Sequence, residues 1–164
     1  MRSLAVLAFL VFPAALTAAD WGPVQFLVGR WTGEGAGEPG GSSGSFSLEP
    51  DLQGKVLVRR SFASYPATAG RPAFRHDDLM IVFSGEPLAG LRAMYWDSEG
   101  HVIAYAVQPA ADGGVTFLSD TPPAAVRYRL TYLPAGPRKI RIRFEIAPPG
   151  KDFATYLEAA AHRD

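Results

Sequence analysis

Three histidines, six tyrosines and no cysteine limit the chemistry open to this chain of 164 residues. Without a thiol there is no disulfide, no thiolate nucleophile and no zinc site built on cysteine. His76 opens the run His76-Asp77-Asp78, where an imidazole beside carboxylates would suit acid–base work or a metal ion. Adjacent strand residues point to opposite faces, so His76 and Asp78 share a face while Asp77 takes the other. His101 and His162 stand far off in sequence, which leaves no metal-ligand spacing. Two readings of His76 follow: a solvated cluster at a strand end, the commoner arrangement, or an imidazole that touches a ligand. There is no Gly-x-Ser-x-Gly turn, no phosphate-cradling glycine loop and no histidine–carboxylate zinc pattern. "GEGAGEPGG" (33–41) precedes no helical pattern, so it does not read as a dinucleotide site. No catalytic residue and no metal is assigned, and a binding role is favoured over an enzyme.

The elements that must position these residues have a clear period. After Gly29 nearly every segment alternates apolar and polar residues in steps of two, the signature of half-buried strands. Candidate strands run over 46–48, 55–62, 77–84, 91–96, 101–108 and 115–119. The segment 77–84 is apolar on both sides and is expected to be covered on both faces. Val126, Tyr128, Leu130 and Tyr132 alternate with Arg127, Arg129 and Thr131; Ile140, Ile142, Phe144 and Ile146 alternate with Arg141, Arg143 and Glu145. The closing "DFATYLEAAAHR" (152–163) is alanine-rich but keeps the two-residue period, which predicts a last strand rather than a helix. Turn-forming runs such as "DSEG" (97–100) and "PPGK" (148–151) separate the strands. About ten short strands, tight turns and no crossover helices predict an all-β, antiparallel up-and-down barrel. A short helical turn after Gly22-Pro23 is expected to plug one end, and the Gly/Ser stretch from Gly33 to Gly44 reads as a long loop that could act as a lid.

A ten-stranded barrel is too wide for side chains to fill, and such barrels commonly enclose a cavity. Tyrosine hydroxyls inside it need a partner, either water or the polar head of a bound molecule. Tyr95, Tyr105, Tyr128 and Tyr156 are the candidate lining residues, with His76 beside them. Arg127, Arg129, Arg141 and Arg143 fall on one face of a hairpin; they read as an ordinary solvated outer face or as an anionic contact surface for a partner. Were the barrel interior polar, they would point inward instead.

The first nineteen residues read as a signal peptide: Arg2, the apolar run Leu4–Phe12, then the small residues Thr17 and Ala19 before Asp20. That predicts export, to a periplasm or outside the cell, of a single domain over 20–164. No other apolar run is long enough to cross a bilayer as a helix, so no transmembrane segment is expected in the mature chain. Without Arg2 the remaining 145 residues carry one net negative charge, which gives no reason to expect nucleic acid as a partner.

"LVGRWTGEG" (27–35) ahead of a β meander resembles the calycin group, which includes the lipocalins and fatty-acid-binding proteins. Gly29 and Trp31 match that group's Gly-x-Trp signature. The resemblance implies that Trp31 packs across a closed barrel base against an arginine late in the last strand, for which Arg163 is the candidate. An indole face accepts a stacked guanidinium, whose donors can satisfy loose carbonyls at strand ends. The chain is also similar to the nitrobindins, ten-stranded heme-binding barrels, and to bacterial lipocalin-like domains, through "FLVGRWTGEGAGE" (26–38), "HDDLM" (76–80) and "YLEAAAHR" (156–163). In nitrobindins a His-Leu-x-Ala-x-Leu-x-Arg run on the last strand binds heme. Here Leu157, Ala159 and Arg163 match, Ala161 replaces the second leucine, and Tyr156 stands where the histidine should be. The resemblance therefore implies the barrel more strongly than the heme. The functional expectation is non-catalytic binding of a small hydrophobic molecule, with heme binding, or an interaction module acting through the arginine face, as alternatives.

Overall fold

Ten antiparallel strands close on themselves in the computed structural model, which describes residues 20–34, 43–85 and 88–164. The expected signal peptide (1–19) and most of the stretch read as a lid lie outside the described residues. The strands are β1 (Gly29–Gly33), β2 (Ser43–Asp51), β3 (Val56–Tyr65), β4 (Phe74–Gly85) and β5 (Leu88–Asp97). They continue as β6 (Val102–Pro109), β7 (Val115–Ser119), β8 (Arg127–Gly136), β9 (Lys139–Ala147) and β10 (Ala154–Arg163). Each strand pairs with its sequence neighbours, and β1 pairs with β10, with Trp31 opposite Arg163. Closure removes both sheet edges, which would otherwise present unpaired backbone groups.

Residues paired across an antiparallel ladder point to the same face, so the register fixes what lines the barrel. One inward row runs Trp31, Phe46, Ser61, Asp78, Asp97. Another runs Leu48, Arg59, Met80, Tyr95, Ile103. The apolar members of the β8–β9 hairpin point inward and its arginines outward, because Leu130 pairs with Phe144 and Arg129 with Glu145.

One end is sealed. A 3-10 segment over Gly22–Leu27, begun by Pro23, buries Val24 and Leu27 and sits across the base. The Trp31 indole N–H donates to the Leu27 carbonyl at 2.9 Å, which ties the plug to the first strand. From this base an aromatic chain climbs the wall. Ring centroids lie 6.1 Å apart for Trp31–Phe46, 5.8 Å for Phe46–Tyr132 and 6.0 Å for Tyr132–Phe117. The chain goes on through Phe117–Tyr105 at 6.2 Å and Tyr105–Tyr95 at 6.4 Å. Four of the five contacts are tilted or edge-on, an arrangement in which the ring quadrupoles attract.

Two expectations need correction. Beyond its strand neighbours β3 and β5, β4 has no extensive packing partner among the described residues. Leu79, Ile81 and Phe83 are half-buried on its outer face, so the two-sided apolar pattern does not signal a second layer. The final segment is a strand, but its period breaks at a bulge between Thr155 and Leu157. Thr155 pairs with outward Glu145 and Leu157 with inward Phe144, so Thr155 and Leu157 do not share a face.

Candidate functional site

The inner face of the barrel is buried at the plugged end and only partly buried in the upper half, the cup, and the enclosed cavity expected of a ten-stranded barrel is not seen among the described residues. Trp31, Leu48, Leu57, Val82, Val115, Phe117 and Ile140 fill the lower half and are buried. Nearer the open end, Tyr95, Tyr128, Ile142, Phe144, Ile146, Leu157 and Ala159 also point inward, yet each stays partly exposed. Tyr95, Tyr128, Ile142 and Phe144 still pack against the buried cluster, so their exposure is that of residues towards the rim. Small inward residues, Ser61 and Ala63 on β3 and Ala159 on β10, put little side chain on this part of the wall. Two shallow depressions lie at the rim and outer wall, around Tyr65 with Phe74 and around Arg60 with Trp96, and neither includes the apolar wall of the cup.

A polar cluster occupies one side of the cup. Arg59 Nη1 and Asp78 Oδ1 are 2.5 Å apart, with side chains only 12% and 7% exposed. Burial works against the charged guanidinium, but Asp78 and the nearby Tyr132, Tyr95 and Tyr105 hold the pKa of Arg59 above its ordinary value. The same guanidinium lies over the Phe46 ring at 5.1 Å. Two buried polar atoms here, Arg59 Nε and the Tyr132 hydroxyl, have no hydrogen-bond partner among the described residues. Sequence reasoning missed Arg59. The signal was present in Arg59-Arg60, since two adjacent residues on a regular strand must send one guanidinium to each face.

Above this cluster the rim residues form a network. His76 Nδ1 lies 2.7 Å from Glu99 Oε1, and its Nε2 lies 3.2 Å from the Tyr95 hydroxyl. His76 and Asp78 share the inner face, as the alternation requires, with Nε2 and Oδ2 3.8 Å apart. The expected solvated cluster at this strand end is instead hydrogen-bonded and largely shielded: only Asp77, paired with Arg75, faces outward. Tyr95 also donates to Asp97 at 3.2 Å; burial, then the charges of Asp78 and Asp97, pushes its hydroxyl pKa far up. Asp97 is partly buried, which opposes ionisation, but it accepts from the backbone and ring of His101 and from the Glu99 amide. Its carboxyl is held below the ordinary range.

The other expected lining residues scatter in depth. Tyr105 is fully buried in the aromatic chain, and burial raises its pKa. Tyr128 lies on the cup wall, stacked on Phe144 with centroids 6.1 Å apart. Tyr156 sits at the β10 bulge, 73% exposed, with its edge against Phe144. His162 is on the opposite end of β10, near Glu34, so it shares no surface with Tyr156.

These placements do not fit a heme as the resemblance implies it. Tyr156, at the position of the ligating histidine, lies largely in water, and both nitrogens of His76 are already engaged. Among the described residues no group of three or more histidine, aspartate or glutamate side chains could hold a metal ion.

Two of the four outer arginines are paired with carboxylates. Arg129 makes a two-pronged contact with Glu145 at 2.6 and 2.7 Å, and Arg143 reaches Glu158 at 2.6 Å. Arg127 and Arg129 both lie over the Phe153 ring. Arg127 bonds only the Lys151 carbonyl, so it and Arg141 have no carboxylate partner among the described residues, and half of the positive charge expected of this face is balanced.

No helix among the described residues is long and apolar enough to cross a membrane. No family model matches the chain, and no curated protein matches it in sequence.

Proposed function

We propose that this protein is an exported lipocalin-like barrel that holds a small, mainly apolar molecule in its open half and catalyses no reaction on it. One observation carries the reading: an apolar inner wall, including Tyr128, Phe144 and Leu157, faces into the barrel and is only partly buried. A protein stabilised only by its core would gain by covering those side chains fully, because apolar groups left half-covered forfeit contacts. The lipocalin-like assignment is supported by the Gly29-Arg30-Trp31 strand, its pairing with β10 and the arginine stacked on the indole.

The test is retention. The purified protein is mixed with a lipid extract, separated from unbound material and weighed by native mass spectrometry. One bound species per chain is the expected result; a chain that carries nothing away overturns the reading.

A further inference from the structure

The outer wall of the barrel is apolar on one side only, whatever the interior holds. The strand register places Val58, Ile81, Met94 and Ala104 in one outward row across β3 to β6. Leu79, Trp96 and Val102 extend that row towards the open end, and Phe83, Ala106 and Leu118 towards the plugged end. None of these ten side chains is buried, and Val102 is 60% exposed, whereas their inward neighbours Met80, Val82, Ala93, Ile103 and Tyr105 are buried. Arg92 is the one charge inside the patch, and it is paired with Asp120. No second layer of the same chain covers this wall among the described residues. The opposite side is charged, with Arg129, Arg143, Glu145 and Glu158 outward on β8 to β10. A membrane-spanning barrel needs an apolar belt all the way round, so this wall is not one. A contiguous exposed apolar patch of this kind marks an interaction surface.

The relief of the wall selects the partner. On β5, Met94 and Trp96 form a ridge; on the next strand, Ala104 and Ala106 leave a furrow. A two-fold axis running along the wall between β5 and β6 sets β5 of each copy over β6 of the other. Met94 then meets the partner's Ala104, Trp96 the partner's Val102 and Phe83 the partner's Leu118. Such self-complementarity is what an interface between identical copies requires. The border agrees: Arg60 stands at one corner, and Glu49 and Asp51 lie beyond the β3 edge. Both signs therefore flank the patch, which suits a second copy better than an anionic surface. At about 4.8 Å between strands and about 6.8 Å between outward residues, ten positions cover about 330 Å². That is the apolar centre of an interface, which with its polar rim takes up about 800 Å² per partner. We propose that the outer wall of β4 to β7 is the interface of a two-fold homodimer of this chain.

Analytical ultracentrifugation of the purified protein tests this. The unaltered protein at about 10 µM should sediment as a dimer, as interfaces of this size hold at that concentration. Met94→Glu and Ala104→Lys each put an unpaired charge into the contact and should each weaken association at least about hundredfold. Far-ultraviolet circular dichroism should stay unchanged, and either variant alone suffices to read the loss. Mixed one to one, the two variants should dimerise again, because the axis sets the introduced carboxylate of one copy against the introduced ammonium of the other. Arg141→Glu, on the charged side, should leave the dimer intact. A monomer at every concentration, or a dimer that both variants leave intact, overturns the interface. Failure of the mixture to associate overturns the pairing of β5 with β6 across the axis. A monomer that floats with phosphatidylcholine vesicles, and ceases to do so on Met94→Glu, overturns the second copy in favour of a membrane.

Discussion

The Arg163 guanidinium lies 4.7 Å from the centroid of the Trp31 ring and donates to the carbonyls of Val28 and Phe26 at 3.1 and 2.5 Å. One side chain from the last strand thus fixes the first strand, the plug and the base indole together. Arg163→Ala is expected to cost about 2 kcal/mol, the range for charge-assisted hydrogen bonds, and Trp31→Ala about 3–5 kcal/mol from the cavity it leaves. Urea unfolding of the two single variants and the double variant checks this. The double variant should lose less than the sum, since the two residues share a contact.

Gly29 holds a backbone angle φ of +127°, and a Cβ there would meet Arg163 Nη1 at 3.5 Å. The contact is tolerable, but the backbone conformation is not one that other residues adopt easily. Gly29→Ala should therefore destabilise by about 1–3 kcal/mol, with thermal unfolding as the readout.

Arg59 and Asp78 stand or fall as a pair. Arg59→Leu strands a buried carboxylate and should cost about 3–5 kcal/mol. Adding Asp78→Leu should recover most of that loss, because two apolar groups of similar volume replace a desolvated ion pair. A double variant as unstable as the single one would mean that the pair holds the strands in a way apolar contact cannot.

On the outer face, the hydrogen bonds from Arg129 hold the Glu145 carboxyl below the ordinary value of 4.5. Its folded pKa is depressed, so its contribution is complete above that value and is lost as pH falls through the lower folded one. Stability should fall in that acid window by roughly 1 kcal/mol from this pair, and Glu145→Gln should flatten the fall. Urea midpoints across the pH range measure both.

Ala159 lies on the cup wall, opposite Ile142 in the β9–β10 register. On the proposed function, Ala159→Trp should occupy the ligand's place and weaken retention more than about tenfold while leaving the unfolding temperature nearly unchanged; a large fall in that temperature would mean that the wall is already packed. Native mass spectrometry and thermal unfolding together separate loss of binding from loss of fold.

The barrel could be read from the chain because alternation with a period of two is a local property. Each of the runs 126–132 and 140–146 declares its inner face without reference to any other strand. The cup's polar chemistry could not be read that way. His76-Asp78 gave a shared face, but that Arg59 meets Asp78 depends on the register of β3 against β4, with Ser61 opposite Asp78. Tyr132 sits beside Arg59 only because the barrel closes and brings β8 across from β3. A bulge at Tyr156, invisible in an alanine-rich strand, shifted the end of β10 and carried that tyrosine to the rim. Periodicity determined strands, inner faces and the all-β class, since those follow from successive side chains alternating about one backbone. Closure decided which buried donors face one another and which remain unpaired, because that depends on register between strands far apart in the chain.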